Sequence, residues 1–335
     1  MKVAVIGAGS WGTAIAQLLG SAGNNVSIWA RRSEVVQSIN TNHHNPRYLV
    51  DWELSTNVVA STSYEDCVAH ANAVVVVTPS NLLRGVARAL AGVVDVNTPV
   101  IICSKGVEAK SCLLANQIFE QEMGNASRIA VLSGPNHAEE VVKGIYSATV
   151  IASESPETAS FFQELFATDT FRTYSSSDVV GVELCAASKN VVAIAVGLAY
   201  GFGFGDNTAA LLMTRGQAEM SRLVHAMGGQ PMTCMGLAGT GDLIATCMSK
   251  HSRNRRFGEM VAAGKTLEDF SNETHMVAEG ALACQNLLPL AESLGVDLPI
   301  TRAVKSVVWD GLDRDTLVAS LISRPLKEEF YGLGE

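Results

Sequence analysis

Val3-Ala4-Val5-Ile6-Gly7-Ala8-Gly9-Ser10-Trp11-Gly12 opens the chain. A short β-branched run enters a G-x-G-x-x-G turn, and Thr13–Leu19 continues with helical periodicity. Strand, glycine turn and helix in that order are the context that makes the motif specific. Gly7 permits the tight turn, Gly9 lets the backbone approach a pyrophosphate, and Gly12 allows helix to pack closely on strand. The helix start turns unpaired N–H groups and partial positive charge toward the phosphates. The bland alternative is a tight turn with no ligand.

The next checkpoint lies at the end of the second strand, Val26–Trp29, where an acid would hold an NAD ribose. The chain has Ala30-Arg31-Arg32 there, and no acid until Glu34. Two guanidiniums suit a 2′-phosphate. The residues therefore point to NADP(H) as the preferred cofactor, with NAD(H) possible. Solvated loop arginines are the alternative.

Outward from this unit, Ala73–Val77, Pro99–Cys103, Ile129–Leu132 and Ala148–Ala152 read as further short buried strands. Amphipathic segments such as Leu82–Ala91 and Glu157–Phe166 lie between them. Strand–helix alternation predicts a parallel sheet with helices on both faces. The pattern changes near Asp178. Beyond it the apolar stretches Val179–Leu198, Thr208–Ala226, Leu243–Ser249, Gly280–Leu294 and Ile300–Trp309 read as helices. The expected organisation is a dinucleotide-binding domain over 1–177 and a helical substrate or catalytic domain over 178–335.

Composition agrees with that organisation. At 335 residues, 47% apolar and 17% charged, the chain is no disordered polymer and is long enough for two cores. The seven cysteines include no C-x-x-C pair, so neither zinc nor a disulfide framework is expected. Reduced thiols in the cytoplasm are the expectation. A net charge of −9 argues against nucleic acid or an anionic membrane as partner. No targeting segment is read at the start. The apolar stretch Leu184–Gly205 contains Lys189 and four glycines, which argues against a membrane span.

From Leu184 to Gly205, Lys189 is the one charged side chain. Its helical neighbours Cys185, Ala186, Val192 and Ala193 are small or apolar. Such a lysine must pair with an anion, lose its proton, or snorkel to the surface. Gly239-Thr240-Gly241-Asp242 can supply the anion, although Asp242 could equally be a plain N-cap. Thr246 falls on the same helical face as Asp242. Lys250-His251-Ser252-Arg253-Asn254-Arg255-Arg256 offers four cations and several donors to a phosphate; a solvated charge run is the alternative. Lys105 and the Gly134–Ala138 loop both follow strands, where open α/β sheets bind ligands.

In combination, Gly7–Gly12, Ser104-Lys105-Gly106, Ser133-Gly134-Pro135, Ser188-Lys189-Asn190, Gly203–Asn207, Thr214-Arg215-Gly216, Gly239–Leu243 and Ser252–Arg255 resemble bacterial-type NAD(P)-dependent glycerol-3-phosphate dehydrogenase, in the family order and across nearly the whole chain. The resemblance implies a Rossmann-like domain followed by an all-α domain of the 6-phosphogluconate-dehydrogenase-like kind. It implies NADPH contacts at Ser10, Trp11, Arg31, Arg32, Lys105, Ala138, Arg253, Val277 and Glu279. It implies substrate contacts at Lys105, Gly134, Asn136, Lys189, Asp242, Ser252, Arg253 and Asn254, with Lys189 as acid/base. Lys105 would add positive charge and Asp242 would orient the amine. Dihydroxyacetone phosphate reduction, a homodimer and supply of glycerophospholipid synthesis follow as expectations. Asn136-His137 departs from the expected serine and aromatic, and Thr208-Ala209 lacks an expected basic residue. Competing readings are a ketopantoate or β-hydroxyacid reductase, and a non-catalytic NADPH sensor.

Overall fold

The computed structural model describes residues 1–274, 278–323, 325–326, 328–329 and 331–332, with the backbone alone at 321 and 322. Two units emerge. One comprises Met1–Lys105 and Leu113–Val179; the other comprises Gly106–Cys112 and Val180–Glu335. The short Gly106–Cys112 segment thus leaves the sheet unit. Asn286 Nδ2 holds it by donating to the Val107 carbonyl at 2.8 Å.

The sheet unit contains eight strands: β1 Lys2–Ile6, β2 Asn25–Trp29, β3 Val58–Ser61, β4 Ala73–Val76, β5 Val100–Ile102, β6 Ile129–Ser133, β7 Ser147–Ala152 and β8 Phe171–Ser176. They lie in the order β3-β2-β1-β4-β5-β6-β7-β8. Every residue of β4, β5 and β6 is buried, as expected of strands covered on both faces. Their aliphatic side chains join Ile15 and Leu19 of helix α1 (Ser10–Ser21), and Phe162 and Phe166, in the core of this unit.

Register decides where the loops go. Ile6 pairs with Trp29 on one side and Val76 on the other; Val76 pairs with Ile102, and Ile102 with Val131. The carboxyl ends of five neighbouring parallel strands are therefore level. The chain reverses direction of travel across the sheet between β1 and β4, which is the switch point where such sheets bind ligands.

The expected fully parallel sheet needs one correction. β7 runs antiparallel to β6, and β8 runs parallel to β7. The connection after β6 contains only the four-residue helix Ala138–Val141. That is too short to carry the chain back along a strand, so β7 starts where β6 ends. β3 and β8, which the hydrophobic pattern does not single out, are the two edges. Alternating burial in Phe171–Ser176 shows why: an edge strand covered on one face has no continuous apolar run.

The helix Val179–Gly201 is long and apolar enough to cross a membrane, but almost all of it is buried. Backbone contact fixes its partner. A Cβ on Gly258 would overlap the Ile194 carbonyl, and one on Gly197 would overlap the Arg255 carbonyl. Only glycine lets Arg253–Ala262 pack so closely on it.

Glu219, on the Asp206–Ala226 helix, is buried against the start of the Pro299–Asp310 helix. It accepts from Ile300 N (2.5 Å), Thr301 N (3.3 Å) and Thr301 Oγ1 (3.2 Å). Burial outweighs these bonds and pushes its carboxyl up to about 7. The folded-state value lies above the unfolded one. The stability this group contributes is therefore complete below about pH 4.5 and is lost as pH rises toward about 7. Urea unfolding at about pH 5 and about pH 7.5 should show a smaller loss of stability in Glu219→Gln than in the wild type. An equal loss in both would assign the pH dependence to other groups.

Candidate active site

The glycine turn has the shape its sequence requires. Gly7 sits at φ +123°, and a Cβ there would come within 2.6 Å of the Val77 carbonyl oxygen. A Cβ on Gly12 would overlap the Gly7 carbonyl. Gly9 is different: nothing lies within 4 Å of where its Cβ would be. The first and third glycines thus close the turn on itself, and the second leaves open space at the start of α1, a cradle that fits a pyrophosphate. Ser10 Oγ donates to Glu139 Oε1 at 3.4 Å. Trp11 is half-buried and packs against the small apolar cluster that contains Ala14 and Ala138. Arg31 and Arg32 are exposed just beyond β2.

Further along the same rim, Ser104 Oγ donates to the Thr78 carbonyl (2.5 Å), and Lys105 Nζ to the Gly134 carbonyl (3.5 Å). Gly134 itself packs against the backbone of Ala148 and Thr149. Asn136 Nδ2 donates to the Ala148 carbonyl at 3.0 Å, but its Oδ1 is buried and unpaired. Thr78 Oγ1 and Ser133 Oγ, also buried, likewise have no partner among the described residues. Three orphaned polar atoms at or just past the ends of two parallel strands are costly unless something polar pairs with them.

In the helical unit, Lys189 is buried, so it does not snorkel. Its Nζ donates to Asp242 Oδ1 at 2.7 Å and to Thr246 Oγ1 at 2.6 Å. Thr246 Oγ1 lies 3.3 Å from Asp242 Oδ1, which closes the triangle. Asp242 is the first residue of the Asp242–Met248 helix, and Thr246 follows one turn later. The preceding loop is tied down because Gln217 Nε2 and Thr240 Oγ1 both donate to the Cys234 carbonyl. Burial pushes the neighbouring Cys247 thiol up to about 12, so it stays protonated beside this cluster.

Ser252 caps the Arg253–Ala262 helix by accepting from Arg255 N at 3.2 Å. Arg253 is exposed at the first helical position. Asn254 is more committed than its sequence context indicates. Its Nδ2 donates to Asn190 Oδ1 (2.9 Å), and its Oδ1 accepts from Gly280 N (3.0 Å). These two bonds tie three helices together. Glu279 begins the Glu279–Ser293 helix. Val277 lies outside the described residues.

Sequence reasoning paired Lys189 with Asp242 and placed Thr246 on their face. It did not single out Asn45, whose buried amide is bonded into the glycine turn. The turn-prone Asn45-Pro46 pair was the available signal.

Residues 2–159 match the family described as NAD-dependent glycerol-3-phosphate dehydrogenase N-terminus, and residues 178–319 match its C-terminus. A relative from Clostridium perfringens (strain 13 / Type A), named glycerol-3-phosphate dehydrogenase (NAD(P)+), is 42% identical over 98% of this chain and 99% of its own length. The glycerol-3-phosphate dehydrogenase structure from Coxiella burnetii is 33% identical, with a TM-score of 0.92 over 96% of this chain and 99% of that one. The ketopantoate reductase of Ralstonia eutropha JMP134 is similar in fold alone: it is 18% identical, with a TM-score of 0.62 over 92% of this chain and 97% of that one. With both halves matched and near-complete coverage on each side, this chain belongs to the NAD-dependent glycerol-3-phosphate dehydrogenase family.

Proposed function

We propose that the chain catalyses reversible reduction of dihydroxyacetone phosphate to sn-glycerol 3-phosphate, with NADPH used ahead of NADH. The observation that carries this reading is the buried Lys189–Asp242–Thr246 triangle. When bound, the dinucleotide supplies the hydride. Gly9, in the turn that Gly7 and Gly12 close, would hold its pyrophosphate, and Ser10, Trp11, Ala138 and Glu279 would border it. Arg31 and Arg32 meet the 2′-phosphate.

Reduction leaves negative charge on the former ketone oxygen. Lys189 polarises that oxygen and donates the proton it takes up. An ammonium buried without an anion would give up its proton beforehand; Asp242 offsets that desolvation and holds the amine in its acid form. Thr246, accepting from the same amine, fixes its orientation. Lys105 adds positive charge toward the substrate's oxygens, and the orphaned Asn136 Oδ1 accepts from a substrate hydroxyl beside Gly134. Ser252, Arg253 and Asn254 hold the phosphate, which fixes the carbonyl face presented to the hydride.

The free cysteines, all buried except the half-buried Cys112, support a reducing, cytoplasmic setting. The family resemblance supports a homodimer that supplies glycerophospholipid synthesis.

Lys189→Ala should lower kcat roughly 10²–10⁴-fold while nucleotide binding, followed by protein fluorescence, is retained. Near wild-type turnover would remove Lys189 as the acid. Arg253→Ala should raise KM for dihydroxyacetone phosphate roughly 10- to 100-fold, the value of a charged hydrogen bond. An unchanged KM would take the phosphate away from Arg253. Initial rates with each cofactor should favour NADPH over NADH; equal or reversed rates would reject that preference.

A further inference from the structure

Two ion pairs meet on one carboxylate oxygen beside the glycine turn. Glu34 Oε1 lies 3.6 Å from Arg32 Nη1 and 3.6 Å from Arg47 Nη1. Arg32 precedes helix α2 (Ser33–Asn42), and Glu34 is in its first turn. Arg47 arrives from elsewhere, and Asn45 places it. Asn45 is 1% exposed. Its Nδ2 donates to the Ala8 carbonyl at 3.0 Å and to Thr13 Oγ1 at 2.8 Å. Its Oδ1 accepts from Arg47 N at 3.0 Å and from Tyr48 N at 3.2 Å. Both donors and both acceptor positions of the amide are used. The backbone of Arg47 is therefore bolted to the nucleotide turn itself.

The guanidinium of Arg47 joins that of Arg32 just beyond β2. In this fold the residues there read the 2′ position of the adenosine ribose. A ribose hydroxyl needs an acceptor, which Glu34 can be. A 2′-phosphate carries close to two negative charges at neutral pH and three acceptor oxygens, and it suits forked guanidiniums better than a carboxylate does. The side chains of Glu34 and both arginines are 39–62% exposed, so their ion pairs exchange at little cost. Glu34 occupies the arginines as an internal anion, and a 2′-phosphate must displace it.

We infer that Arg47 and Glu34 are specificity-determining residues for the cofactor's 2′ position. Arg47 is a further guanidinium for the 2′-phosphate beside Arg31 and Arg32. Glu34 accepts from the 2′-hydroxyl of NADH and competes with the 2′-phosphate of NADPH. This inference rests on the cofactor reading above, and it gives one chain the means to take both cofactors with a tempered preference.

The test is calorimetric titration of the full chain with adenosine 2′,5′-bisphosphate and with AMP, which reads binding without turnover. The wild type should bind the bisphosphate more tightly. Arg47→Ala should cut that preference roughly tenfold, by weakening the bisphosphate and leaving AMP unchanged. Glu34→Gln should raise the preference by about two- to fivefold, the range of an exposed ion pair. The ratio of kcat/KM for NADPH to that for NADH should move in the same directions. A wild type that binds both probes equally would overturn the NADPH preference and this inference together. A wild-type preference that neither substitution moves would overturn this inference alone.

Discussion

A charge taken out of water must be met, and the helical unit is organised around one such charge. Lys189 lies in the middle of a helix whose other residues are nearly all apolar and buried. Leaving its ammonium unpaired there would cost several kcal/mol, so the lysine would lose its proton. Asp242 and Thr246 meet it at hydrogen-bond distance. Asp242 is in place only because a glycine-rich loop, pinned through the Cys234 carbonyl, delivers it to the start of a helix. The glycines that bring Arg253–Ala262 onto the same core helix set Ser252, Arg253 and Asn254 in the same unit. One desolvated amine thus explains a loop and a helix start.

The sheet unit answers a different constraint. Ligand groups approach through backbone, so side chains must be missing at the right points. The glycine turn closes on itself at Gly7 and Gly12 and stays open at Gly9. Level strand ends then bring Thr78, Lys105 and Gly134 to one rim. The unpaired atoms of Thr78, Ser133 and Asn136 lie along that rim. Buried polar atoms are seldom left without partners.

Much of this could be read from residue order. Strand–turn–helix at Val3–Leu19, the switch to long apolar helices after Asp178, and the isolation of Lys189 each have a local physical cause. The gaps have local causes too. β3 and β8 are edge strands with polar faces, so no apolar run announces them. The antiparallel turn of β7 follows from a connector too short for a crossover, which periodicity does not measure. The family resemblance implies Asn254 only as a substrate contact. In the fold most of its amide bonds Asn190 and Gly280, whose nearness no sequence spacing reveals.

The amino-acid order alone determined the class of the fold, the kind of cofactor, and the identity of the buried amine. Those depend on periodicity, on missing side chains and on charge in apolar surroundings, all of which are local properties. The tertiary structure alone decided that Asn254 bonds Asn190 and Gly280, which polar atoms stay unpaired, and that Arg47 stands beside Arg32. Each of those is a contact between segments far apart in the chain. Such contacts arise from strand register and helix packing, and no short stretch of sequence encodes them.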